Sequence, residues 1–235
     1  MKIFIDSASL EEIEKYLSWG ICDGVTTNPT INVRCGVRSV EEMRQRSIQI
    51  AQLIAPRPLS VEVTSDQPEK MFRQAHQYAA WAKNINVKIT ITTRTGDSCL
   101  PVIHQLYSDG IDVNVTAMMT VNQAILAAKA GAKYISLFGG RIDDEGGDAV
   151  TVIRTVREWL DRWSGMCAKN PELIVGSSRT TKNIADWVAT GAHILTVSPA
   201  VLSKMLVNAR TKETAAQFLD DAEKALASMS QQQYE

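Results

Sequence analysis

Strand-like and helix-like segments alternate along the whole chain, and no other property restricts its fold so tightly. Short period-two runs over 2–6, 24–29, 59–64, 84–93, 111–117, 133–138, 173–177 and 193–197 read as strands. Each is followed by a stretch with helical spacing of its apolar residues. The helices expected there run from a cap at Ser9 to near Gly20, then over 40–55, 68–83 and 100–108. Further helices run from Thr120 to Gly131, and over 148–163, 181–190, 200–208 and 212–229. Eight strands, each leading into a helix and none joined by a hairpin signal, is the count of a single (β/α)8 TIM barrel over residues 1–235, with an extra C-terminal helix. An open doubly wound sheet competes, but no glycine-rich fingerprint follows the first strand and no linker divides the chain. The tail Gln231–Glu235 reads as frayed.

With 235 residues, 45% of them hydrophobic and 22% charged, the chain can bury a large core. A net charge of -1 gives no general attraction to nucleic acid or to an anionic membrane. The four cysteines form no CxxC pair and the three histidines no ligand-like spacing, so neither a metal nor a cofactor is expected. Reduced thiols, no signal peptide at Met1–Asp6 and no membrane-length apolar run lead to the expectation of a cytoplasmic protein.

Within the fourth strand Ile85, Val87, Ile89 and Ile91 share one side, and Asn86, Lys88, Thr90 and Thr92 the other. Taken alone, this is most simply an edge strand with a solvated lysine. In a parallel sheet covered on both faces, Lys88 instead points into the protein, where it must be paired, deprotonated or used for chemistry. The same parity sends Asp6, Glu62, Asn114 and Thr116 inward, while Thr26 and Asn28 end strand two and Ser136 and Phe138 end strand six. Polar groups from several strands thus converge on the mouth where barrel enzymes keep their active sites.

A buried lysine beside two carboxylates suits attack on a ketone to form a Schiff base, whose iminium draws electrons from a neighbouring carbon–carbon bond. The ordinary alternative is a salt bridge from Lys88 to Glu62 or Asp6. A second constellation is cationic. Gly139-Gly140-Arg141 follows strand six and Gly176-Ser177-Ser178-Arg179 follows strand seven, a combination that suits a terminal anion.

These residues are recognisable together. The sequence resembles the transaldolase family of class I aldolases, in its short-chain branch that includes fructose-6-phosphate aldolases. The resemblance runs through Phe4-Ile5-Asp6-Ser7-Ala8, Asp23-Gly24-Val25-Thr26-Thr27-Asn28-Pro29, Val61-Glu62-Val63, Val87-Lys88-Ile89, Asn114-Val115-Thr116, Gly140-Arg141-Ile142-Asp143-Asp144 and Ser177-Ser178-Arg179, covering nearly the whole chain.

It implies that Lys88 is the Schiff-base lysine, that Asp6 takes the C4 hydroxyl proton, and that Glu62 with Thr116 positions a catalytic water. It also implies that Asn28 and Ser136, supported by Thr26, hold the dihydroxyacetone hydroxyls, and that Arg141, Ser177 and Arg179 grip the anion. Family aldolases tend to carry Gln and Tyr where this chain has Glu62 and Phe138, so the chain is similar to the transaldolase side. The expected partners are small ketose and aldehyde substrates bearing phosphate or sulfonate. A ring-shaped homo-oligomer, pentamer or decamer, is implied as well.

The sequence departs from the family at Thr90, which replaces a usual Pro and opens the threonine-rich run 90–97, at Leu137, and at Ser178. Two other readings stand beside transfer: an aldolase that releases dihydroxyacetone, and a catalytically silent barrel that binds sugar phosphates.

Overall fold

The computed structural model describes residues Met1–Gln231. Strands β1 (Lys2–Asp6), β2 (Gly24–Thr26), β3 (Leu59–Glu62), β4 (Ile85–Thr90), β5 (Val113–Met118), β6 (Tyr134–Leu137), β7 (Glu172–Val175) and β8 (Ile194–Val197) close into one parallel barrel in sequence order. β8 pairs with β1, so β4 has neighbours on both sides and the edge-strand reading of Lys88 falls. The helices are α1 (Leu10–Ser18), α2 (Pro29–Arg34), α3 (Val40–Ile54), α4 (Pro68–Ala79), α5 (Leu100–Ser108), α6 (Val121–Ala130), α7 (Gly139–Asp144), α8 (Ala149–Trp163), α9 (Thr181–Val188), α10 (Pro199–Met205) and α11 (Ala209–Gln231). The chain divides into two compact units, Met1–Val201 with the barrel and a second from Leu202 on that contains α11. No helix among the described residues is long and apolar enough to cross a membrane. The expectation for the tail at 232–235 lies outside the described residues.

Local chemistry explains the helix boundaries. Ser9 Oγ accepts from the Glu12 amide to start α1, and Thr120 forms a reciprocal capping box with Gln123 to start α6. α6 stops at Gly131, whose left-handed φ of 104° leaves room for no side chain: a Cβ there would lie 2.4 Å from the Tyr107 ring. Helices α2 and α7 were not expected. Each is only six residues long, too short for a period to show, and in the sequence Asn28-Pro29 reads as the end of a strand. Asn28 is in fact the N-cap of α2, accepting from the Ile31 amide, with Pro29 in the first turn.

The strands obey the expected parity. Ile5, Val61, Val87, Ile89, Val113 and Val115 are fully buried towards the helices. Inside, the barrel is split by polarity. Phe4, Tyr134, Ile174 and Ile194 form an apolar cluster, with the Phe4 and Tyr134 rings edge to face at 6.1 Å. Gly24 makes room for it, since a Cβ there would sit 2.6 Å from the Phe4 ring. The opposite flank is a hydrogen-bonded row. Ser136 Oγ donates to Asn114 Oδ1 (2.7 Å), Asn114 Nδ2 to Ser60 Oγ (3.0 Å), and Ser60 Oγ to Asn86 Oδ1 (2.6 Å).

Candidate active site

Strand register places Lys88 beside Glu62 on β3 and Asn114 on β5. The lysine is 5% exposed, and its Nζ lies 3.2 Å from Glu62 Oε2 and 3.4 Å from the Thr27 carbonyl. Few contacts thus oppose the cost of burying the charge, and the amine remains directed at the mouth. Asp6, at the end of β1, shares a cavity of about 310 Å³ with Lys88. Burial pushes the Asp6 carboxyl above the usual carboxylate range, opposed by Lys88, by a hydrogen bond from Thr26 and by Arg34. Thr26 Oγ1 donates to Asp6 Oδ1 at 2.7 Å and also meets Thr196 Oγ1 on β8, which fixes the carboxylate from two strands.

Asn28, Phe138, Arg141, Ser177 and Arg179 line the same cavity. Glu62 reaches it through Lys88 and lines a second cavity of about 470 Å³ with Thr90, Thr92, Thr93 and the ion-paired Arg94 and Asp66. The departing segment is therefore a wall of the mouth on the Glu62 side. Ser136 and Thr116 are not among the lining residues of either cavity and are 4% and 1% exposed. Thr116 Oγ1 is buried with no hydrogen-bond partner in the protein. Just beyond it the β5–β6 register shifts, and Ala117 takes a left-handed φ of 60°.

Three guanidinium groups line the same cavity as Lys88 and Asp6. Arg141 stacks over the Phe138 ring at 5.3 Å. Arg179 folds back on Ser177, donating to its carbonyl and its Oγ at 2.9 Å each, and pairs with Asp144 at 2.7 Å. Ser177 itself has a left-handed φ of 68°, a conformation costly for serine. Its carbonyl occupies the space above Gly140, where a Cβ would lie 1.8 Å from that oxygen. The third guanidinium belongs to Arg34, which the sequence reading missed. Its signal was the Asn-Pro start of α2, which carries Arg34 to the mouth one turn and a half later. Thr196, Thr30 and Ser198 are further lining residues not anticipated. Among the described residues no group of His, Cys, Asp or Glu side chains could hold a metal ion.

The Transaldolase/Fructose-6-phosphate aldolase profile fits residues 3–235. The chain belongs to that family. It is 37% identical to a probable transaldolase of Lactiplantibacillus plantarum, over 94% of this chain and 96% of the relative. It is 38% identical to probable transaldolase 2 of Listeria monocytogenes, over 95% and 96%, and 35% identical to a probable transaldolase of Nitrosopumilus maritimus, over 97% of both. Among solved structures, thiamine phosphate pyrophosphorylase from Pyrococcus furiosus superposes with a TM-score of 0.59 at 14% identity, covering 85% of this chain and 86% of that one. That likeness shows the barrel fold alone. The transaldolase/fructose-6-phosphate aldolase family is a class I aldolase and transferase family.

Proposed function

We propose that this enzyme moves a dihydroxyacetone unit from a ketose with a terminal phosphate to an aldehyde acceptor, through an imine on Lys88. The observation that carries the reading is the 3.2 Å approach of Lys88 to Glu62, with Asp6 and the guanidinium groups of Arg34, Arg141 and Arg179 lining one cavity with that lysine. Glu62 takes a proton from the Lys88 ammonium, and the freed lone pair attacks the C2 carbonyl. The carbinolamine loses water as Glu62 returns the proton, and the unpartnered Thr116 hydroxyl offers that water a hydrogen bond. The Asp6 carboxylate then accepts the C4 hydroxyl proton. The C3–C4 electron pair moves into the iminium, leaving an enamine on Lys88 and a free aldehyde. A second aldehyde accepts the enamine carbon, Asp6 returns the proton, and water releases the new ketose.

Asn28 and Ser136, with Thr26 behind them, hold the hydroxyls of the retained three-carbon unit. Phe138 favours transfer over release, because a phenyl ring has no proton to give the enamine. An aldolase that releases dihydroxyacetone is the second reading. A sulfonated ketose is also supported by one observation: Ser178 is a lining residue of the cavity, whereas Thr180 is engaged in capping α9 through Asn183. Three guanidinium groups, one already shared with Asp144, suit a dianion better, so phosphate is the substrate class we assign.

Borohydride reduction with a phosphorylated ketose present tests the chemistry: a mass increase on Lys88 is expected, and none would reject the imine. A screen of phosphorylated against sulfonated ketoses, with and without acceptor, tests the substrate.

A further inference from the structure

The opposite end of the barrel holds another cavity, of about 470 Å³, at the N-terminal ends of β4 and β6. Its walls include Asn84, Asn86, Tyr134, Asp112, Lys83 and Lys133. Asn86 is 2% exposed and faces the barrel interior, on the same side of β4 as Lys88. The direction of the internal hydrogen-bond row decides which of its amide atoms is spare. Ser136 donates to Asn114, Asn114 to Ser60, and Ser60 to Asn86 Oδ1. The row therefore ends on Asn86 Nδ2, a buried donor with no protein partner. A spare buried donor calls for an acceptor oxygen.

The surroundings favour a negative one. Burial disfavours charge on Asp112, but Lys133 and Lys169 outweigh it and hold the carboxyl below the usual range. Those two lysines share a single carboxylate, leaving a surplus of positive charge, and Lys83 adds another ammonium group to the wall. Glu172, the other carboxylate acting on Tyr134, is paired with Lys2. Burial raises the Tyr134 phenol well above its ordinary value, so it keeps its proton and can donate. Nothing in the proposed reaction uses Asn86, Tyr134 or Lys83.

We propose that this cavity binds the oxyanion group of a small metabolite, a phosphate or a carboxylate, with Asn86 Nδ2 and the Tyr134 hydroxyl donating to its oxygens and Lys83 balancing its charge. The site is separate from the anion end of the catalytic mouth and does not depend on the reaction assigned there.

Calorimetric titration of the full chain with inorganic phosphate distinguishes the two. Two equivalents per chain are expected. Lys83→Glu, a change at the cavity wall, should weaken the second by about tenfold or more while leaving catalysis and the first unchanged. Arg34→Ala with Arg141→Ala should remove only the first. Asn86→Leu should abolish the second, and a circular-dichroism melt checks that this variant folds. Acetate displacing the second equivalent assigns the carboxylate form, and failure to displace it assigns phosphate. A single equivalent that disappears in the double arginine variant, or two equivalents unchanged in Lys83→Glu, overturns the proposal.

Discussion

Lys88 Nζ sits 3.2 Å from Glu62 Oε2 on the neighbouring strand, both residues at one level of the β3–β4 ladder. Strand register sets that distance, so the pair persists whatever the loops above it do. Lys88→Met keeps the length of the side chain and removes the amine. Turnover should fall by about three orders of magnitude or more, with an unchanged melting profile. Retained turnover on any ketose donor would point to chemistry that does not pass through this nitrogen.

Asp6 should show an opposition between stability and activity. Burial raises its folded-state pKa above that of the unfolded chain, more than Lys88, Thr26 and Arg34 lower it. Its contribution to stability is then full below the ordinary carboxylate range and is lost as pH rises through the raised value. Asp6→Asn should raise Tm by a few degrees at neutral pH, have no such effect below about pH 3, and abolish C–C cleavage. Melting curves across pH, beside the acid limb of the wild-type rate profile, check both halves. A lower Tm at neutral pH would contradict the burial argument.

Phe138→Tyr places a phenol at the cavity, beneath the Arg141 guanidinium. Release of free dihydroxyacetone should rise at the expense of transfer, by about tenfold in the ratio of the two rates. Measuring both products from one reaction mixture suffices, and an unchanged ratio would remove the phenol argument.

Arg34 should matter to substrate binding for charged donors alone, although through the Asp6 carboxyl that it lowers it also shifts the acid limb of the rate profile for every donor. Arg34→Ala is expected to raise KM for a phosphorylated ketose by about tenfold or more, while KM for the same ketose without its phosphate stays put. Equal losses for both would show that Arg34 shapes α2 rather than binding the anion.

Gly140→Ala would ordinarily help a helix by about 1 kcal/mol. Here the new methyl would meet the Ser177 carbonyl at 1.8 Å, so the β7 loop must move and take Arg179 with it. KM for the phosphorylated donor should rise well above any change in kcat, and an unaltered KM would mean the loop yields freely.

The barrel and most of its site could be read from the sequence because strand parity is a rigid constraint. Once Ile85, Val87 and Ile89 are assigned to the helix side, Lys88 has one direction left, and the same logic places Asp6, Glu62, Asn114 and Thr116. Parity says nothing about loops. Arg34 was invisible because α2 is shorter than two helical turns, and Thr196 because one inward threonine on β8 resembles ordinary filling. The left-handed backbone of Ser177 was hidden as well, since serine carries no sign of that conformation.

The row from Ser136 to Asn86 behaves as a one-way circuit. Ser136 has committed its only proton to Asn114, so any guest pressed against it meets lone pairs and must bring its own hydrogen. An alcohol satisfies that demand, whereas an ether or a second carbonyl does not. Reversing the polarity would require both asparagine amides to turn over together inside a closed cylinder, so the preference is fixed in the scaffold before any sugar arrives.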